Sequence, residues 1–200
     1  LLGAMLVVHG DAQGMAIPPR VAPTQVVIIP IGPAKTRDMV LQRAEQLLAT
    51  LKQADIRAKM DNYPNQSPGW KFNEYELKGV PIRIAIGPKD LEKGTVEIAR
   101  RDTLEKEFLQ QTDVANKVEH LLEQIQNNLF QKAKDFKETN TFRADNWDEF
   151  KDIIENKGGF VYAHWDGASE TEEKIKNQTK ATIRCIPIDN PQEEGKCIFS

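Results

Sequence analysis

Cysteine is scarce: Cys185 and Cys197 are the two in 200 residues. That is too few for a disulfide framework, and a reducing, cytoplasmic setting is expected. No apolar run approaches the roughly 20 residues of a membrane span, and nothing resembles a signal peptide. A basic excess is also missing. Net charge is −3, and the central residues 69–106 hold 8 Lys/Arg against 7 Asp/Glu. A polycationic grip on nucleic acid, DNA included, is therefore excluded, and any RNA binding must be local and specific. The three histidines, His9, His120 and His164, show no metal-ligand spacing with one another. There is no glycine-rich phosphate loop, nucleophile elbow or paired-carboxylate arrangement, so no self-contained catalytic site is expected.

What is present reads as α/β. Residues 1–8 are apolar throughout and fit the end of a buried helix or a strand. Pro18 and Pro19 then mark an extended linker. Residues 25–31 form a β-branched run closed by Gly32 and Pro33, a buried-strand signal. Over residues 36–54, Val40, Ala44, Leu47, Leu48 and Leu51 share one helical face. A second strand is expected over 56–60 and a loop over 61–69. Residues 95–101 alternate as a half-exposed strand, with a partner strand at 105–110. Asp113 opens a long helix to about Phe136, with Val114, Val118, Leu121, Leu122, Ile125 and Leu129 inward. Residues 137–146 read as a polar linker. A smaller α/β pattern follows: helix 147–157, strand 160–165, helix 170–178 and strand 182–186. The order predicts a mixed sheet.

The stretch from Gly69 to Asp90 is the focus. It reads as an amphipathic helix after Trp70 and Phe72, a Gly79 stop, an apolar strand and a Gly87-Pro88 turn. Arg83 interrupts the strand, and a charge there is costly unless it reaches a polar surface or a partner. Lys89 beside Asp90 offers a donor and an acceptor together, the pattern that reads a base edge. Taken alone, Phe72 reads as a core aromatic, Arg83 as a surface-facing strand residue, and Lys89 and Asp90 as an ordinary turn.

Three groups of residues resemble the prolyl-tRNA synthetase family of class II aminoacyl-tRNA synthetases. Gly3, His9-Gly10-Asp11 and Pro18-Pro19-Arg20-Val21-Ala22-Pro23 look like the exit from that family's catalytic domain. Gly69-Trp70-Lys71-Phe72-Asn73-Glu74, Lys78-Gly79-Val80-Pro81-Ile82-Arg83 and Gly87-Pro88-Lys89-Asp90 look like its anticodon-reading segment. Ala181-Thr182-Ile183-Arg184-Cys185-Ile186-Pro187 with Gly195-Lys196-Cys197 looks like its extra C-terminal domain. The resemblance implies three parts: residues 1–22 as the tail of a catalytic domain, 23–136 as a mixed-sheet anticodon-binding domain, and 137–200 as a small, truncated α/β C-terminal domain. Both termini fall inside apolar stretches, so a piece of a longer protein is expected, inactive alone for want of the catalytic core.

The resemblance implies a role for the longer protein as a proline–tRNA ligase, a homodimer using ATP and Mg²⁺, with proline tRNA as the partner of this part. Every proline anticodon carries two guanines, and a carboxylate with Lys or Arg matches a guanine edge. The resemblance assigns this reading to Phe72 (stacking), Glu76, Arg83, Lys89 and Asp90. It also implies a departure. Many relatives carry a C-x4-C…C-x2-C zinc site, and the matching positions here are Asp166, Thr171, Cys197 and Ser200. One thiol remains, so no zinc and no other cofactor is expected in this part. Cys185 is expected as a small core residue of a strand, in a domain resting on Phe160, Tyr162, Trp165, Ile183 and Ile186. A rival reading is a non-catalytic α/β interaction or regulatory module with a synthetase-derived fold; the matching set of five residues argues against it.

Overall fold

The computed structural model describes residues 1–189 and 194–200. They form two compact units, Leu1–Ala133 and Lys134–Ser200. The first opens with α1 (Leu2–His9), which buries none of its residues. A buried segment was the expectation. Leu2 and Val7 are exposed although the helix is apolar on all sides.

The proline-containing stretch that follows is not a free linker. The Met15 N–H donates to the Leu77 carbonyl and the Ile17 N–H to the Gly79 carbonyl, both at 3.2 Å. Arg57 holds the same stretch from the other side, donating from Nε to the Ala22 carbonyl and from Nη2 to the Pro19 carbonyl.

There follow β1 (Val26–Pro30), α2 (Arg37–Gln53), β2 (Ala58–Met60), α3 (Pro68–Leu77), β3 (Ile82–Ile86), α4 (Pro88–Lys93), β4 (Thr95–Arg100), β5 (Lys106–Gln110) and α5 (Val114–Thr139). The sheet order is β2-β1-β3-β4-β5. β1 pairs parallel with β2 and β3, while β4 runs antiparallel to β3 and to β5. The β-branched runs of β1 and β3 are buried on both faces, as central strands are. Val26, Ile28, Ile82, Ile84, Ile86, Val96 and Ile98 turn to one face, where α2 and α5 cover them with the predicted apolar residues. Val27 and Ile29 turn to the other face, against Tyr75 and Phe72 of α3.

One boundary differs from expectation. The Gly87-Pro88 turn is the start of α4: the Asp90 carboxylate reaches back to accept from the Gly87 N–H at 2.8 Å, a capping bond that starts a helix. The Gly79 stop is as expected, at φ +70°, and a Cβ there would lie 2.6 Å from the Met15 carbonyl oxygen. Only glycine allows the exit segment to lie this close to the end of α3.

In the second unit β6 (Thr141–Arg143) pairs parallel with β7 (Phe160–Tyr162). Between them runs α6 (Trp147–Asp152), continued by a π-helical turn over Ile153–Lys157; α7 (Ser169–Thr179) follows. Residues 137–146 are thus not a linker: the long helix runs on to Thr139 and β6 begins at Thr141. Residues 182–186 form no strand, because an extended run without a paired edge gains no ladder. Cys185 is accordingly exposed rather than a core residue.

The core of this unit is also not the expected one. Phe160, Tyr162, Ile183 and Ile186 are exposed, and the buried residues are Ala144, Phe150, Ile153, Ile175 and Ile198. Trp147 stacks on Phe150 at 5.5 Å and meets Phe199 edge-on at 4.8 Å.

Candidate nucleic-acid interface

Arg83 sits in the middle of β3, and its neighbours Ile82 and Ile84 turn to the face covered by α2 and α5. Strand alternation therefore sends Arg83 to the α3 face. It is not the surface-facing residue its isolated position allowed, for its side chain is 4% exposed. Nη1 donates to Glu97 Oε1 at 3.2 Å, and the guanidinium carbon lies 3.7 Å from the centre of the Phe72 ring. Nε and Nη2 are buried with no hydrogen-bond partner among the described residues. Buried donors without an acceptor are costly, and a native protein seldom keeps them without a use.

α3 supplies Phe72 and, one turn later, Glu76. Ser67 caps its start by accepting from the Trp70 N–H at 3.2 Å, with Pro68 in the first turn. A buried polar knot then pins the helix to the end of β2. Lys71 Nζ lies 2.9 Å from Asp61 Oδ1, and the Tyr75 hydroxyl donates to Asp61 Oδ2 at 3.0 Å. Burial pushes the Asp61 carboxyl up, but donors from Lys71, the Tyr63 N–H and Tyr75 outweigh it and hold it below the ordinary carboxylate range. Burial, with the Asp61 carboxylate beside it, pushes the Tyr75 hydroxyl up to about 12. Phe72 and Glu76 are half-buried on this anchored helix.

The end of α3 is tied to the exit segment by a second knot. The buried Arg101 guanidinium forms a two-pronged pair with Asp11, at 2.7 and 2.6 Å, and donates from Nε to the Glu76 carbonyl at 2.8 Å. These Arg101 hydrogen bonds hold the Asp11 carboxyl low.

Lys89 and Asp90 lie on α4, past the end of β3. Three residues of strand separate Arg83 from Ile86, about 10 Å. Phe72 and Arg83 are therefore brought into contact, Glu76 shares their helix, and Lys89 and Asp90 stand at the strand's end. Lys89 is exposed, while Asp90 commits Oδ2 to the cap.

Two residues on this face escaped sequence reasoning. Glu97 pairs with Arg83, and Phe108 stands opposite Glu97 on the edge strand with 67% exposure. Only the period-2 alternation of β4 and β5 marked their common face; their closeness to Arg83 depends on strand register.

In the second unit, the positions matched to a zinc site do converge. Thr171 Oγ1 and Ser200 Oγ donate to Asp166 Oδ2 at 2.8 and 3.3 Å, and the Ala168 N–H donates to Oδ1 at 2.9 Å. Cys197 is the fourth member: burial pushes its thiol up, but Ser200 and the backbone of residues 199, 200 and 166 outweigh this and hold it below the ordinary thiol range. This donor set does not fit zinc. It offers one thiol and one carboxylate, and both hydroxyls already spend their protons on Asp166.

Among the described residues no helix is long and apolar enough to cross a membrane. Residues 25–121 match the anticodon binding domain family, and residues 147–200 match the family of prolyl-tRNA synthetase C-terminal domains. The chain is 51% identical over 203 residues to a proline–tRNA ligase of Flavobacterium johnsoniae. It is 51% identical over 201 residues to one of Cytophaga hutchinsonii and 49% over 201 residues to one of Christiangramia forsetii. Each match covers 100% of this chain and 41% of the relative, so the chain spans about two-fifths of the relatives' length.

Proposed function

From a chain that belongs to the prolyl-tRNA synthetase family and carries its anticodon-binding and C-terminal domains, we infer that the Phe72–Asp90 region reads the two guanines of the proline anticodon. It does so for a longer cytoplasmic enzyme, a homodimer that attaches proline to tRNA with ATP and Mg²⁺. The tail of that enzyme's catalytic domain corresponds to residues 1–22, whose Met15 and Ile17 N–H groups donate to carbonyls at and just past the end of α3. This part of the chain contributes selection and positioning: it holds the anticodon so that the distant acceptor end is presented correctly.

The observation that carries the reading is Arg83. Two of its donor nitrogens are buried without an acceptor among the described residues, and an aromatic ring covers its planar face. A guanine supplies what they lack, an O6 acceptor on one edge and a π-face for stacking. The half-buried Phe72 swings from the guanidinium to the base, so that one stacking partner replaces another. Glu76, in register with Phe72 on α3, accepts from the guanine N1–H and N2–H. Lys89 and Asp90 meet the second guanine with the same pairing of charges, and Asp90 retains Oδ1 for that purpose while Oδ2 holds the helix start.

The test is equilibrium binding of this chain to a proline tRNA transcript and to two transcripts in which one anticodon guanine is changed to adenine. Each change is expected to weaken binding about tenfold or more. Equal affinity for all three transcripts would overturn direct reading.

A further inference from the structure

The cluster around Asp166 belongs to the second unit. Its members come from separate segments: Asp166 from the loop after β7, Thr171 from the first turn of α7, and Cys197 and Ser200 from the last stretch of the chain. Their spacing is that of a four-ligand metal site, four residues between the first two and two between the last two. The chemistry at the centre is reversed. A metal centre gathers anionic ligands around a cation, whereas here hydrogen-bond donors gather around an anion.

Both oxygens of Asp166 are engaged, Oδ1 by the Ala168 N–H and Oδ2 by the hydroxyls of Thr171 and Ser200. The Thr171 hydroxyl belongs to a residue only 7% exposed, so without Asp166 it would be a buried donor lacking an acceptor. Two further hydrogen bonds close the same loop. The Ile198 N–H donates to the His164 carbonyl at 2.8 Å, and the Trp165 indole N–H donates to the Ala168 carbonyl at 3.2 Å. Between Cys197 and Ser200, Ile198 is buried in the core of the unit with Ile175 of α7. The cluster therefore fastens the C-terminal segment where that core is completed.

We propose that the Asp166 carboxylate replaces a metal ion as the fastener of this unit, joining the 164–171 loop to the 197–200 segment through hydrogen bonds in a fold that needs no zinc. The unit then keeps its structure in the presence of chelators, and its integrity depends on a carboxylate at position 166. Because the backbone still brings the four positions together, returning thiols to three of them rebuilds a metal site.

The test uses the chain as it stands, expressed with zinc in the medium. Metal content is measured by elemental analysis, and hydrogen exchange is followed in peptides covering residues 164–171 and 196–200. No stoichiometric zinc is expected, and EDTA is expected to leave exchange unchanged. Asp166→Ala is expected to speed exchange about tenfold in both peptides while leaving peptides from the five-stranded sheet of the first unit unaltered. The sheet peptides distinguish local loosening from a general failure to fold. The triple variant D166C/T171C/S200C is expected to take up one zinc per chain and to give the tetrahedral cobalt spectrum on exchange with Co²⁺. Stoichiometric zinc in the unaltered chain would overturn the proposal. So would an Asp166→Ala variant with unchanged exchange in both peptides, or a triple variant that takes up no metal.

Discussion

At the scale of single residues, Arg83 carries the most consequence. It is buried, paired with Glu97 on one nitrogen and stacked on Phe72, and two of its nitrogens have no acceptor among the described residues. Such an arrangement is poor for stability: a buried ion pair is often matched or bettered by apolar residues of similar volume. Function and stability therefore make opposite demands. The double variant Arg83→Met/Glu97→Gln is expected to bind proline tRNA at least tenfold more weakly, from the ~1–3 kcal/mol that a good base contact supplies. Its urea midpoint is expected to stay level or rise. Filter binding and urea unfolding on the same protein check both halves. Arg83→Lys keeps the charge but not the planar fork, and tracks the binding loss.

At the scale of elements, what matters is how α3 is held. Its amphipathic face is short, and the buried knot of Asp61, Lys71 and Tyr75 fixes it over β1 and β3. Asp61 lies below its ordinary value of 3.8 in the folded chain, although burial alone would raise it, because Lys71, Tyr63 and Tyr75 donate to it. Asp102 behaves in the same way: burial raises it, while Arg100 and Asn128 of α5 lower it further. Asp11 is held low chiefly by Arg101. For a depressed carboxyl the unfolded chain binds the proton more readily, so the stabilisation is complete above the unfolded value. It is lost as pH falls below about 4 and through the folded values. Urea midpoints are expected to slip as pH falls through the ordinary histidine value of 6.5, because burial lowers His9 in the folded chain, and to drop further below about pH 4. Asp61→Asn is expected to lower the neutral midpoint and flatten the acid limb. A chain whose midpoint falls equally with and without Asp61 would contradict this role.

At the scale of the whole molecule, the charge balance decides how RNA is met. With a net charge of −3 there is no field to draw in a polyanion. On the proposed reading, affinity arises from a few contacts, among them Arg83 over α3 and Lys89 on α4. Counterion release scales with the phosphates neutralised. The logarithm of affinity for proline tRNA is therefore expected to fall only shallowly with the logarithm of salt, and discrimination between guanine and adenine in the anticodon is expected to survive at high salt. Titrations at several salt concentrations measure both. A steep slope with discrimination lost would mean that the phosphates, and not the bases, carry the binding.

The sequence alone determined the elements whose signals are local. The β-branched runs of β1 and β3, the apolar faces of α2 and α5, and the glycine that stops α3 are each written within one or two turns of chain. The resemblance in the 69–90 stretch marks the proposed reading region for the same reason, since its residues are close in sequence. Tertiary structure decided the rest. Arg83 is buried because α3 folds over that side of β3, and its partner Glu97 follows from the register of β4. Residues 182–186 alternate like a strand but have no edge to pair with. Thr171 and Ser200 meet Asp166 across gaps of 5 and 34 residues. Periodicity encodes which conformation a segment prefers and which of its faces is apolar. It does not encode which distant segment completes a hydrogen bond or covers a charge, because those energies belong to pairs brought together only once the chain has folded.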